Sequence, residues 1–229
     1  MARPRGVFVT GTDTGVGKTI LAAAIVAALR ARGTDVTALK PVITGLDEAP
    51  DPIWPRDHEL LAQLSGRSLE QVSPVRYGPP ASPLLAAELS DRPIDPGLLK
   101  AAVLEATGST RPAVVEGVGG LLVPIAQNYD VRALAVDLAL PLLVAARPSL
   151  GTVNHTLLTL EAARAHGLEI AAVVLTPWPR APGWLERSNL KTIERLGQVP
   201  VSTLREVTGP DPDLLAAAGA ALPLERWIG

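Results

Sequence analysis

Apolar residues along this chain fall into two alternating patterns: short continuous runs bounded by turn residues, and longer segments spaced like helix faces. Val7-Phe8-Val9-Thr10 is the first short run, and Ile20 to Leu29, apolar nearly all round, reads as a helix buried on several sides. Arg30 and Arg32 suit that helix's carboxyl end, and Gly33 is its stop. Asp35 to Leu39 predicts a second strand, leading into Lys40-Pro41-Val42-Ile43-Thr44-Gly45. Asp47 to Arg56 is polar and proline-rich, a mobile surface loop, before helical spacing resumes from Asp57 to Leu64. Tyr77 to Pro83 is a loop, Leu84 to Leu89 a short helix, and Pro96 to Ala106 a longer helix with proline at its start. Further strands are predicted at Ala113 to Glu116, Pro141 to Ala146, Ile170 to Leu175 and Val199 to Ser202. Helices are predicted around Leu134 to Asp137, from about Leu150 to Ala165, from Trp184 to Leu196 and from Asp211 to Ala218, with Gly219 as the last stop. This alternation predicts one α/β domain over residues 1–229, with a mostly parallel sheet covered by helices on both faces.

The turn between the first strand and first helix changes the picture most. It reads Gly11-Thr12-Asp13-Thr14-Gly15-Val16-Gly17-Lys18-Thr19, the strand, glycine turn, Gly-Lys-Thr and helix of a phosphate-binding loop. Glycines let successive backbone N–H groups turn inward as an anion nest, and the helix N-terminus adds partial positive charge. Lys18 can reach the terminal phosphates, and the Thr19 hydroxyl suits Mg²⁺. Counting back from Gly17, the usual first glycine falls on Thr12, so either Thr12 replaces it or the loop is one residue longer, from Gly11.

Composition narrows the partners. With 47% hydrophobic and 19% charged residues the chain can bury a substantial core, and with only 3% aromatic residues that core is aliphatic. A net charge of −2 without a basic cluster argues against a nucleic-acid surface. No cysteine is present, which excludes disulfides, thiolate metal sites and a cysteine nucleophile and fits a reducing cytoplasm. Met1-Ala2-Arg3-Pro4-Arg5 leads into too short an apolar run for a signal peptide, and Leu138 to Ala146, broken by Pro141, is too short to span a bilayer. The expectation is a soluble, cytoplasmic protein.

Three further positions carry candidate chemistry. Ligands of such sheets gather at the strands' carboxyl ends, so Lys40 shares a rim with the phosphate loop, although an ordinary exposed lysine reads equally well. Val115-Glu116-Gly117-Val118-Gly119-Gly120 resembles the acidic strand end of phosphate-loop enzymes, with Glu116 holding Mg²⁺ directly or through water. Asp137 competes for that role, but its helical segment moves it off the rim. Gly151-Thr152-Val153-Asn154 opens a helix whose free N–H groups make a second anion site, unless Thr152 or Asn154 simply caps it. Asp57 reads as a helix-start residue, His58 as exposed, and His155 and His166 as structural.

Taken together and in order, the glycine loop, Lys40-Pro41-Val42-Ile43-Thr44-Gly45, Val115-Glu116-Gly117-Val118-Gly119-Gly120 and Gly151-Thr152-Val153-Asn154-His155 resemble dethiobiotin synthetase, up to about Thr176. The resemblance implies a phosphate-loop NTPase-like fold with the extended loop. It also implies closure of a ureido ring from 7,8-diaminononanoate, CO2 and MgATP in the penultimate step of biotin biosynthesis. ATP would lie on Asp13, Thr14, Gly15, Val16, Gly17, Lys18, Thr19 and Ile20, with Glu116 nearby and Thr176 at the base. Lys18, Lys40 and Thr14 would serve the transferring phosphoryl group, and Thr19, Asp57 and Glu116 would surround Mg²⁺. Thr44, Ser82 and Gly117 would line the substrate's path. Gly151, Thr152, Val153 and Asn154 would hold its carboxylate from the other subunit of a homodimer. Some members carry an acidic residue where Gly15 stands and an asparagine where Thr176 stands.

Three rivals remain at this stage. Partner-regulated ATPases that position plasmids carry an extra lysine early in the loop, where this chain has Asp13. A nucleotide-dependent binding switch leaves Lys40-Pro41-Val42 and Thr44 without a role. Corrin-acting amide synthetases usually add a glutaminase domain with a cysteine nucleophile, and this chain has no cysteine.

Overall fold

Along each strand, successive side chains enter opposite cores. In the computed structural model, which describes residues 5–107 and 111–228, β1 (Gly6–Gly11) sends Val7 and Val9 to one face and Phe8 to the other. The sequence expectation on Met1 to Pro4 lies outside the described residues. α1 (Lys18–Ala31) follows, and every residue from Leu21 to Leu29 is buried, as its all-round apolar sequence requires. It ends at Gly33, whose φ of +78° only glycine adopts cheaply. β2 (Thr37–Leu39) begins two residues later than expected, because the Asp35 carboxylate turns out to the guanidinium groups of Arg30, Arg67 and Arg111.

The chain then runs through β3 (Val42–Ile43), α2 (Asp57–Ser65), α3 (Leu69–Val72), β4 (Val75–Arg76), α4 (Pro83–Leu89) and α5 (Pro96–Thr107) to β5 (Ala113–Glu116). After it come β6 (Pro124–Ala126), β7 (Tyr129–Asp130), α6 (Val131–Leu138), β8 (Leu142–Ala146), α7 (Thr152–Arg164) and β9 (Ile170–Trp178). α8 (Trp184–Gly197), β10 (Val201–Arg205), α9 (Pro212–Ala220) and α10 (Leu224–Ile228) complete it. The main sheet has the order β10-β9-β8-β1-β5-β2, and all its pairings are parallel. α1, α2, α9 and α10 cover one face; α4, α5 and α6, then α7 and α8, cover the other. β3–β4 and β6–β7 are separate two-stranded pairs, too short to leave a period in the sequence.

Gly219 is a correction. It lies inside α9 rather than ending it, and a Cβ there would come within 2.0 Å of the Ala24 carbonyl oxygen. Its missing side chain is what lets α9 lie directly on α1. No helix among the described residues is long and apolar enough to cross a membrane.

Candidate active site

The site grows from the point where the sheet changes direction. β5 is inserted between β1 and β2, so the loops after β1, β2 and β5 open on one rim. Gly11 ends β1, and a Cβ there would lie 2.6 Å from Val16 Cγ2 and 3.1 Å from Lys18 Cγ. Gly11 is thus the glycine that the loop closes against, and the longer of the two loop readings holds. Gly15 and Gly17 have φ of +69° and +92°, and Gly17 starts α1 without any side-chain cap. The helix's first N–H groups therefore face the loop. Asp13 caps the Thr14 N–H at 2.7 Å, and the Lys18 ammonium donates to the Asp13 carbonyl at 2.8 Å. Burial, then the neighbouring charge of Lys40, lowers the Lys18 pKa to about 8.

Lys40 is not an exposed lysine; only 3% of it is accessible. Its backbone N–H is held by the Val72 carbonyl at 2.8 Å. Its ammonium donates to Glu116 Oε1 at 2.6 Å, Asp57 Oδ2 at 2.8 Å and the Gly117 carbonyl at 3.4 Å. Burial disfavours that charge, but Asp57 and Glu116 outweigh it and hold the ammonium above the ordinary lysine range. Asp57 is the first residue of α2, after the cap position Arg56, so its carboxylate is not spent on the helix start. Asp57 resists the effect of burial through Lys40 and stays below the usual carboxylate range. Glu116 is raised, burial being the leading cause.

Thr19 Oγ1 donates to Glu116 Oε1 at 2.9 Å, while Glu116 Oε2 is buried with no hydrogen-bond partner among the described residues. A hydroxyl, an orphaned carboxylate oxygen and the Asp57 carboxylate are hard oxygen donors at the mouth of a phosphate loop. This donor set fits Mg²⁺, which takes one or two carboxylates and completes its shell with phosphate and water.

A cleft of about 1020 Å³ opens over these groups. Thr14, Gly15, Gly17, Ile20, Thr44 and Ser82 line it beside the lysines and carboxylates. Ser82 precedes α4 without capping it. Val16 is buried beneath the loop, and Thr176 is 2% exposed with its methyl 2.8 Å from where a Gly17 Cβ would stand. Gly151, Thr152, Val153 and Asn154 are not among the lining residues; they start α7, which has no side-chain cap, so neither Thr152 nor Asn154 caps it. Asp137 lies apart from the cleft, paired with Lys100 at 2.6 Å and Tyr129 at 2.8 Å. His58, expected exposed, is buried at 3%, because the side of α2 that it occupies packs inward. The Asp47–Arg56 loop is exposed at its centre but tied down. Arg56 grips the Leu46 and Glu48 carbonyls at 2.8 Å, and Asp51 caps the Ile53 and Trp54 N–H groups at 2.8 Å.

Sequence reasoning missed Arg147 and Trp54. Trp54 lines the cleft beside Ile20. Arg147 follows β8 directly, so the rule that singled out Lys40 applied to it equally.

A parallel sheet, an extended glycine loop closing on Lys18 and a strand-end acid facing Thr19 define a phosphate-loop nucleotide-binding protein. Solved structures agree at the level of fold. A ParA family ATPase from Chlorobium tepidum TLS superposes with a TM-score of 0.54 at 14% identity, covering 96% of this chain and 90% of that one. Chloroplast FtsY from Physcomitrella patens gives 0.53 at 15% identity, covering 96% and 66%. A family model described as an AAA domain matches residues 5–204. The ATP-dependent dethiobiotin synthetase BioD of Anaeromyxobacter dehalogenans is 45% identical over 173 residues, 75% of this chain and 76% of that protein. The Mycobacterium avium protein of the same name is 44% identical, covering 83% of each. The one from Bacillus subtilis strain 168 is 36% identical, covering 86% and 85%. This chain belongs to the ATP-dependent dethiobiotin synthetase family.

Proposed function

We infer that the protein closes the ureido ring of dethiobiotin from 7,8-diaminononanoate and CO2 at the expense of ATP. The observation that carries this reading, beside family membership, is the Lys40 ammonium held between Glu116 and Asp57 at the mouth of the phosphate loop. One amine adds to CO2 and loses a proton to give a carbamate. A carbamate oxygen attacks the γ-phosphorus as ADP leaves, and the second amine then attacks the carbamoyl carbon as phosphate leaves. Each species is anionic and lies against a triphosphate, so positive charge and aimed donors matter more than a strong base.

Lys18 bridges the carbamate and γ-phosphate in this reading, and Lys40 neutralises the phosphoryl group in flight. The Thr14 and Thr44 hydroxyls donate to the same oxygens. The N–H groups from Asp13 to Ile20 cradle the phosphates. Thr19, Asp57 and Glu116 hold Mg²⁺, which supplies charge neutralisation on the phosphates when bound. Ser82 and Gly117 border the aliphatic chain, and Thr176, packed on Gly17, borders the nucleotide. The substrate carboxylate rests on the Gly151, Thr152, Val153 and Asn154 N–H groups of a second copy of the chain. On this reading the enzyme is a cytoplasmic homodimer.

Labelled bicarbonate given to the purified protein with MgATP and the diamine tests it. Fixation of acid-stable label in step with phosphate release is expected. A folded protein that binds nucleotide yet fixes no label with any nucleoside triphosphate would leave a binding switch as the better reading.

A further inference from the structure

One cation on the rim has no part in this scheme. Arg147, the residue after β8, donates from both Nε and Nη2 to the Gly15 carbonyl oxygen, at 3.1 and 2.8 Å. It is exposed and has no other partner among the described residues. The contact spans from the end of one sheet strand to the crest of the phosphate loop.

Its consequence follows from peptide geometry. The Gly15 C=O and the Val16 N–H belong to one planar trans unit, so they point in opposite directions. An arginine that fixes the carbonyl outward fixes the Val16 N–H inward, toward the nest. Val16 is 4% exposed, and its N–H, like those of the other loop residues from Gly15 to Ile20, has no hydrogen-bond partner among the described residues, as an anion nest requires. The peptide also needs fixing. Gly15 has a φ of +69° and no side chain, so rotation of the Gly15–Val16 unit meets little steric resistance. That absence also makes room: a Cβ on Gly15 would stand 3.2 Å from Arg147 Nη2. A charged donor on the carbonyl further polarises the unit and strengthens the N–H at its other end.

We propose that Arg147 is a positioning residue for nucleotide binding, locking the Gly15–Val16 peptide so that the Val16 N–H is aimed at a phosphate before ATP arrives. The proposal rests on the nucleotide-binding reading of the loop and deepens it. It requires no contact between Arg147 and the substrate.

Equilibrium binding of MgATP to wild type, Arg147→Met and Arg147→Lys tests the idea, with unfolding of the ATP-free proteins followed in parallel. Loss of a charge-assisted hydrogen bond predicts Arg147→Met binding about tenfold more weakly or worse, with Arg147→Lys recovering part of the loss. The difference should persist in high salt, since it is a short-range contact; a difference abolished by salt would mean only a long-range charge effect and overturn the proposal. Equal affinity of wild type and Arg147→Met would also overturn it. A second measurement needs no variant. On adding ATP to ¹⁵N-labelled wild type, the Val16 amide resonance should move downfield. Movement of the other loop amides but not Val16 sinks the proposal, whereas no movement anywhere in the loop sinks the nucleotide-binding reading instead.

Discussion

Removing the Lys40 ammonium should expose how the site balances its charges. In Lys40→Ala, Glu116 keeps a fully buried carboxylate with only the Thr19 hydroxyl to satisfy it. Breaking a buried ion pair from one side costs about 3–5 kcal/mol. Asp57 is 41% accessible and can be solvated, so its share is discounted and the lower end, about 3 kcal/mol, is expected. For a chain of this length that is a fall in Tm of about 6–12 °C.

The effect must also depend on pH, and its sign is fixed. Burial already raises the folded Glu116 pKa above its unfolded value, and loss of Lys40 raises it further. Between the unfolded and folded values the native state binds more protons than the unfolded state, so the variant gains stability as pH falls through its folded pKa. The wild-type ammonium stays charged across the neutral range, being held above the ordinary lysine value. The gap between the two proteins should therefore narrow on acidification. Urea unfolding of both at about pH 8 and about pH 5.5 reads it, alongside turnover, which should fall on the order of 100-fold for loss of the charge that the proposed mechanism sets against the transferring phosphoryl. A gap that is the same at both pH values would refute the electrostatic reasoning, and unchanged turnover would remove Lys40 from the mechanism.

Lys18, with a pKa lowered to about 8, should lose its charge in the free protein just where many assays are run. ATP affinity measured without metal should weaken as pH rises past about 8, by up to tenfold per unit until the ligand's own charge resists deprotonation, and Lys18→Gln should be flat over the same range. The same depressed pKa makes the desolvated ammonium a cost to the fold, so the ligand-free protein should gain a little stability over that window. Gly219→Val should destabilise by about 3 kcal/mol or more, read by urea unfolding, because its side chain would meet the Ala24 backbone. A loss below about 1 kcal/mol would mean that α9 does not lie on α1 as described.

How much of this was legible in the sequence depended on whether the signal was local. The phosphate loop was legible apart from its length, since strand, glycines, Lys18, Thr19 and helix are contiguous and each has its own backbone reason, whereas the place of its first glycine depends on how Val16 and Lys18 fold back on Gly11. α3 and α10, of four and five residues, are too short to show a period, whereas the existence of the longer helices was legible from theirs. Their ends were less so: Gly219 resembles a stop because glycine commonly follows helices, but its role is set by Ala24, almost two hundred positions away in the chain. His58 read as exposed because no local partner suggested otherwise, and which side of α2 packs inward is decided by the sheet. Asp57 looked like a cap because a carboxylate at a helix start has a sufficient local explanation. The competing claim of Lys40 lies on another element.

The Lys40–Glu116 pair shows what local reasoning lacks. In the register of β2 on β5, Leu39 stands beside Val115, so the next residues along each strand, Lys40 and Glu116, leave the sheet side by side. In the register of β5 on β1, Glu116 stands level with Val9, two residues before the loop's first glycine, which brings its carboxylate under the start of α1 and within 2.9 Å of Thr19. A slip of one residue in the pairing of β5 on β1 would send the Glu116 side chain to the opposite face, the side of Phe8 and Val131, and a slip of β2 on β5 would turn Lys40 away from it. Register is in turn held by the alternation of core residues, Val114 into one layer and Ala113 and Val115 into the other. The aliphatic pattern of three consecutive residues, Ala113 to Val115, thus fixes where the only fully buried carboxylate among the described residues of this rim can point. The chemistry of the site is set by packing that has no chemistry of its own.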